Sequence, residues 1–138
     1  MTNTEKAAQA YKEAALWTEE ELMREDLAGT ENEGAEFAYT IWDFTREASD
    51  AIEAEVDRFI TQALLLDVLD EDENYEQFGH DLWLTRNGHG TGFWDRGTGS
   101  KGEALTEAAK ELGEATIWPV GNHIMYESNQ TITKRLEK

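Results

Sequence analysis

The twenty residues from Phe78 to Gly97 hold two of the chain's three histidines, two of its five tryptophans, five glycines and two Asp–Arg combinations. These are the types that do chemistry. Imidazoles move protons near neutral pH, paired carboxylates separate their pKa values and can divide acid and base roles, and closely spaced glycines let backbone N–H groups approach an anion. The candidate functional cluster is His80, Asp81, Arg86, Asn87, His89, Asp95 and Arg96. No residue is assigned a catalytic role.

Each chemistry competes with a plainer use. His80 and His89 lie at opposite ends of a run that reads as one strand, and at about 3.3 Å per residue they stand too far apart to share a metal. A set completed by His123 with Asp81 or Asp95 would need convergence from elsewhere in the fold, so neither metal nor cofactor is expected. In a hairpin register Asp81 comes opposite Asp95, either as an acid–base pair or as two carboxylates neutralised by Arg86 and Arg96. Phosphate loops run from a strand into a helix N-terminus. Here a strand follows Gly88, Gly90 and Gly92, which favours turn geometry. Ser49, Ser100 and Ser128 sit in no nucleophile-elbow context. Trp83, Phe93, Trp94 and Trp118 could stack bases, but an acidic chain lacks the basic groove that stacking proteins use, so packing or a binding patch fits them better.

The elements that must hold these residues are read from periodicity. Ala7, Ala8, Tyr11, Ala14 and Ala15 predict a helix over 4–16. Thr18 followed by three glutamates predicts a fresh N-cap and a short second helix to about Asp26. Residues 28–35 read as a loop and 36–44 as an extended segment laid on the core. A long helix over 46–69 is capped by Thr45, with Ile52, Val56, Phe59, Ile60, Ala63 and Leu66 as its apolar stripe; Glu53, Glu55, Asp57 and Arg58 are expected away from it. Residues 67–76 read as a solvated acidic connection. Asn87-Gly88 between Leu82–Arg86 and Thr91–Asp95 predicts a β-hairpin. Gly97 to Gly102 read as a link, 103–112 as a helix ended by Gly113, and Ala115–Val120 with His123–Glu127 as a second hairpin around Gly121-Asn122. Pro119 places its strand at an edge or bulge. Residues 128–138 form a tail that can add a strand through Thr131–Thr133. The expected fold is α+β in one domain. Acidic helices of residues 1–76 pack on a small antiparallel sheet built from two hairpins with an intervening helix, over 77–127.

The formal charge is −18, distributed unevenly: residues 1–79 carry 22 acidic and 5 basic side chains, residues 80–138 carry 8 and 7. Such a chain repels nucleic acid and anionic membranes and attracts basic protein surfaces. Glu19, Glu20, Glu21, Glu25, Asp70, Glu71, Asp72 and Glu73 form the candidate acidic interaction surface. Solubility, mimicry of a phosphate backbone and adaptation to high salt all account for the charge. The excess of glutamate over aspartate favours helix surfaces over salt adaptation. The absence of cysteine excludes disulfides, thiol catalysis and cysteine-ligated metals. With no long apolar run and no basic, apolar leader, a cytoplasmic location is expected.

The motif from Gly79-His80-Asp81 through Trp83-Leu84-Thr85-Arg86-Asn87-Gly88-His89-Gly90 to Gly92-Phe93-Trp94-Asp95-Arg96-Gly97 resembles a segment found in small acidic proteins of bacteriophages and related mobile elements. Leu105 to Lys110 and the terminal hairpin extend the likeness. Tyr11, Ala15-Leu16-Trp17 and Asp57-Arg58-Phe59 fit it more loosely, and residues 18–36 depart from it. The resemblance brings no established activity. It implies an accessory protein made in the host cytoplasm. The reading that follows is non-enzymatic binding to a basic host or defence protein, with nucleic-acid mimicry as one form of it. Two alternatives stay open: a small enzyme or ligand-binding protein using the 80–96 cluster, and a structural or virion-associated oligomer joined through the aromatic hairpins.

Overall fold

Thr2 opens the first helix by accepting the Glu5 N–H, and the helix then runs unbroken over Asn3–Leu27 (α1). The computed structural model describes residues 1–69, 73–88, 93 and 99–129. The expected break at Thr18 does not occur. Its hydroxyl bonds back to the Ala15 carbonyl at 3.0 Å, inside the helix, and accepts the Trp83 indole N–H at 2.9 Å. A threonine that satisfies itself on the preceding turn can stay mid-helix instead of capping a new one.

After the loop at 28–35, residues 36–44 cross the core as expected. Phe37, Tyr39 and Ile41 are half-buried and Phe44 is buried. A 3₁₀ turn over Ile41–Asp43 is held by a reciprocal Thr40–Asp43 capping box. Thr45 caps α2, Arg46–Leu65, by accepting the Ala48 N–H. This helix ends earlier than residue 69. Asp67 takes a left-handed φ of 56°, and the Val68 and Asp67 N–H groups bond to the Ala63 and Leu64 carbonyls, which is a Schellman closure. Leu66, expected on the buried stripe, is half exposed as a result.

The largest correction concerns Leu82–Arg86. The first hairpin does not form, because these residues belong to α3, Tyr75–Arg86, which Asn74 caps through the Gln77 N–H. The second arm of that hairpin, Thr91–Asp95, lies outside the described residues except for Phe93. The alternation read as a strand is the trace of a helix buried almost all round: Phe78, Gly79 and every residue from Asp81 to Arg86 are buried, so no polar face marks the helical period. Asn87-Gly88 is its C-terminal cap. Gly88 has φ 72°, and the positive φ that suits a hairpin turn serves a helix end equally well.

Helix α4, Ser100–Glu111, buries Leu105, Ala108 and Ala109, and Gly113 follows it at φ 76°. Strands β1, Ala115–Val120, and β2, His123–Ser128, pair antiparallel with Ile117 opposite Tyr126, as expected for the second hairpin. The strand predicted through Thr131–Thr133 lies outside the described residues. The architecture is α+β, four helices and a two-stranded antiparallel sheet among the described residues.

Helices α1 and α3 make the closest pair. Alanines at 7, 8, 14 and 15 let α3 approach, and Gly79 lies directly against the Ala7 backbone, leaving no room for a Cβ. Tyr11 meets Trp83 edge-on at 5.3 Å, and Phe59, Phe78 and Phe93 form an aromatic cluster between α2 and α3. The 36–45 segment is stitched to the hairpin: Phe44 bridges Ile124, the Thr45 N–H donates to the Ile124 carbonyl at 3.0 Å, and the Tyr39 hydroxyl donates to the Gly121 carbonyl at 2.8 Å. Among the described residues no helix is long and apolar enough to cross a membrane.

Candidate functional site

Helix α3 carries the described part of the candidate cluster and turns its members in different directions. Arg86, on its last turn, points into the core. Its Nη1 lies 3.0 Å from Glu55 Oε1 on α2, and the two side chains are 0 % and 4 % exposed. The same nitrogen donates to the hydroxyls of Tyr11, at 3.1 Å, and Tyr126, at 3.2 Å. Nε and Nη2 donate to the Gly113 and Leu112 carbonyls at 2.8 and 3.2 Å, just beyond α4. Glu55 Oε1 also accepts from Ser128, at 2.8 Å, and from Tyr126, at 3.3 Å, and the two tyrosine hydroxyls are 2.8 Å apart. One guanidinium thus ties α1, α2, α3, the end of α4 and β2 together.

Burial weakens a cation, but the attraction of Tyr11, Tyr126 and Glu55 overrides it, and Arg86 holds its proton above the usual arginine range. Burial pushes the Tyr11 hydroxyl up to about 12, against the pull of Arg86. It raises Tyr126 as well, Tyr11 adding to the effect. The tyrosines are therefore neutral donors at physiological pH. Glu55 Oε2 is buried with no partner among the described residues.

Asn87 joins two elements. Its Nδ2 donates to the Trp83 carbonyl at 3.0 Å, and its Oδ1 accepts the Ala115 N–H at 2.9 Å, so the cap of α3 also positions the start of β1. Asp81 is buried on α3 and accepts from Gln77 at 3.0 Å. A helical Asp81 cannot take the cross-strand register that set it opposite Asp95. Arg86 makes its ion pair with Glu55 on α2. His80 is half-buried on α3, and its Nδ1 is buried without a hydrogen-bond partner among the described residues. His123 is exposed at the start of β2. His89, Asp95 and Arg96 lie outside the described residues, as does Trp94.

A small cavity of about 190 Å³ beside Asp81, Phe78 and Phe93 includes neither His80, Arg86 nor Asn87. Among the described residues no three His, Asp or Glu side chains come together to hold a metal ion. Chemically, the Arg86–Glu55 network is a sealed polar staple. It fixes the mutual positions of five elements, and Tyr126 also lines a surface cleft, beside Ala48, Ala51 and Trp118.

No family model, curated protein or solved structure matches this chain.

The acidic surface is better defined. From Glu19 to Glu36 the chain has eight carboxylates and one cation, Arg24, and all eight are exposed or half-exposed. Arg24 reaches Glu20 at 2.8 Å and Glu21 at 3.2 Å, both one turn back on α1. Partial burial and the nearby Asp26 raise the Glu19 carboxyl above its ordinary range. Glu25 is exposed, and Glu73 is half-buried before the Asn74 cap. Asp70, Glu71 and Asp72 lie outside the described residues.

Two groups escaped the sequence reading. Glu55 was expected on the solvent side, yet it is three residues after Ile52 and four before Phe59, squarely on the buried stripe. That spacing was the available signal. Trp17 and Trp42 are 55 % and 82 % exposed, and they flank one groove of about 500 Å³ between α1 and the 37–42 segment. Nothing in their local sequence separates them from core aromatics.

Proposed function

We propose that this protein is a phage-type accessory protein that acts by non-enzymatic binding to a basic protein, with the carboxylate surface standing in for a nucleic-acid backbone. The observation that carries this reading is the stretch from Glu19 to Glu36, where eight solvent-facing carboxylates meet one arginine. Five of the eight, Glu19, Glu20, Glu21, Glu25 and Asp26, stand on α1 and keep their spacing there, which a disordered acidic tail cannot do. Long-range attraction then steers a basic surface into contact, with a strong dependence on salt. Burial of Arg86 in a structural network also takes one of the motif's two arginines out of reach of a dissolved substrate.

The test is competition. Labelled duplex DNA is bound to protamine at about 50 mM salt and the complex followed by fluorescence anisotropy. The protein is expected to release the DNA at a lower concentration than polyglutamate of equal total charge, and the effect should fade as salt rises. Failure to release DNA at low salt, or release no better than by polyglutamate, overturns the reading.

A further inference from the structure

The tryptophan-lined groove shares Glu20 with a second groove of about 640 Å³, bounded by Arg24, Leu27, Glu33 and Glu36. Together they follow α1 from Gln9 to Leu27, about 27 Å at 1.5 Å per residue. That length matches roughly eight residues of extended chain. One end is aromatic and the other acidic.

We propose that these two adjoining grooves receive an extended, arginine-bearing segment of a basic partner protein, with guanidinium groups on the faces of Trp17 and Trp42 and on the carboxylates of Glu13 and Glu20. The proposal rests on the basic-partner reading above and gives it a place on the molecule. Trp42 is 82 % exposed because the Thr40–Asp43 capping box holds its turn against the core and leaves the ring outside. The fold makes little use of that ring, and a large aromatic in water is a strong contact surface for a cation. Glu13 makes no ion pair among the described residues, and Glu20 is engaged only by Arg24, a surface partner whose side chain is 63 % exposed. An incoming guanidinium can displace such a pair at small cost.

Charge selects the occupant. A second copy of this chain would place Glu13, Glu20, Glu33 and Glu36 against their own images, and a nucleic acid would meet the same repulsion. Arginine suits the groove better than lysine because its planar group stacks on indole and binds carboxylate through two parallel bonds.

The test uses the full chain and a nonapeptide alternating arginine and leucine, with lysine and citrulline versions, titrated by calorimetry at about 50 mM salt. The arginine peptide is expected to bind more tightly than the lysine peptide, and the citrulline peptide not at all. Trp42→Ala and Trp17→Ala should each weaken binding at least tenfold, and Glu13→Gln several-fold, with circular dichroism unchanged. Trp118→Ala should leave binding as it is. If both tryptophan variants bind like the parent, the groove is not the site, while bulk acidity, and with it the basic-partner reading, stands. If the arginine peptide fails to bind but protamine is still captured from DNA, the groove proposal alone falls; if neither occurs, both fall. Equal binding of all three peptides overturns the guanidinium assignment.

Discussion

Arg86 Nη1 stands 3.0 Å from Glu55 Oε1 across thirty-one residues of sequence, with both side chains buried. A buried ion pair is costly to assemble and more costly to break, because the surviving charge has no solvent to turn to. Glu55→Gln is therefore expected to lower the unfolding free energy by about 3–5 kcal/mol. Replacing both partners, as Glu55→Leu with Arg86→Met, should cost less than Glu55→Gln alone. Denaturant midpoints of the variants check both statements. A loss below about 1 kcal/mol for the single variant would mean that water reaches the pair.

How much of this was legible in the sequence follows from which faces are polar. Helix α2, the 103–112 segment and the terminal hairpin have one wet side and one dry side, and their periods show it. Helix α3 has no comparable wet side. With Phe78, Leu82 and Arg86 on one turn-spaced row and Gly79 and Trp83 on another, its composition resembles a buried strand, and Asn87-Gly88 strengthened that reading because both endings need positive φ. The acidic surface was visible from charge alone. The destination of Arg86 was not, since a partner thirty-one residues away and two tyrosine hydroxyls from opposite ends of the chain are set by tertiary packing.

The paired tyrosines give the fold an alkaline limit. Burial raises Tyr11 to about 12 and moves Tyr126 in the same direction, whereas both titrate near 10 once unfolded. A group that holds its proton more tightly in the folded state contributes stability that is complete below its unfolded pKa. That stability is lost as pH rises through the folded pKa. Stability should hold to about pH 10 and fall steeply between 10 and 12. Phenolate absorbance should rise in two phases, the later one coinciding with the loss of helical circular dichroism. A single phase near pH 10 with the helix intact would show that water reaches both hydroxyls.

Gly79→Ala tests the close approach of α3 to α1. A methyl group there would run into the Ala7 backbone, which cannot rotate away as a side chain can. The α1–α3 pair must separate, and a loss at or beyond the upper end of the usual 1–3 kcal/mol for overpacking is expected. Gly88→Ala meets no atom within 4 Å among the described residues and is strained by its φ of 72°, so its cost should be smaller, about 1–2 kcal/mol. Thermal melts of the two variants establish the order. The reverse order would place the helix end, and not the α1–α3 contact, as the tighter constraint.

Glu19→Gln is expected to stabilise the protein. Partial burial, and then the neighbouring Asp26, raise the Glu19 carboxyl, so the folded state favours the protonated form more than the unfolded chain does. By linkage that group contributes most at pH values below its unfolded pKa. Its contribution declines as pH rises through the higher folded value, leaving an ionised carboxylate under strain at neutral pH. The neutral amide removes that strain, and because solvent screens a part-exposed group the gain at pH 7 should stay within about 0.5 kcal/mol. At pH 4 the gain should shrink, because more of the native carboxyl is then protonated on its own. Added salt at pH 7 should shrink it too, by screening Asp26. Melting curves of the parent and Glu19→Gln at the two pH values and at two salt concentrations separate these effects. A gain that ignores pH would trace to helix propensity instead of to charge.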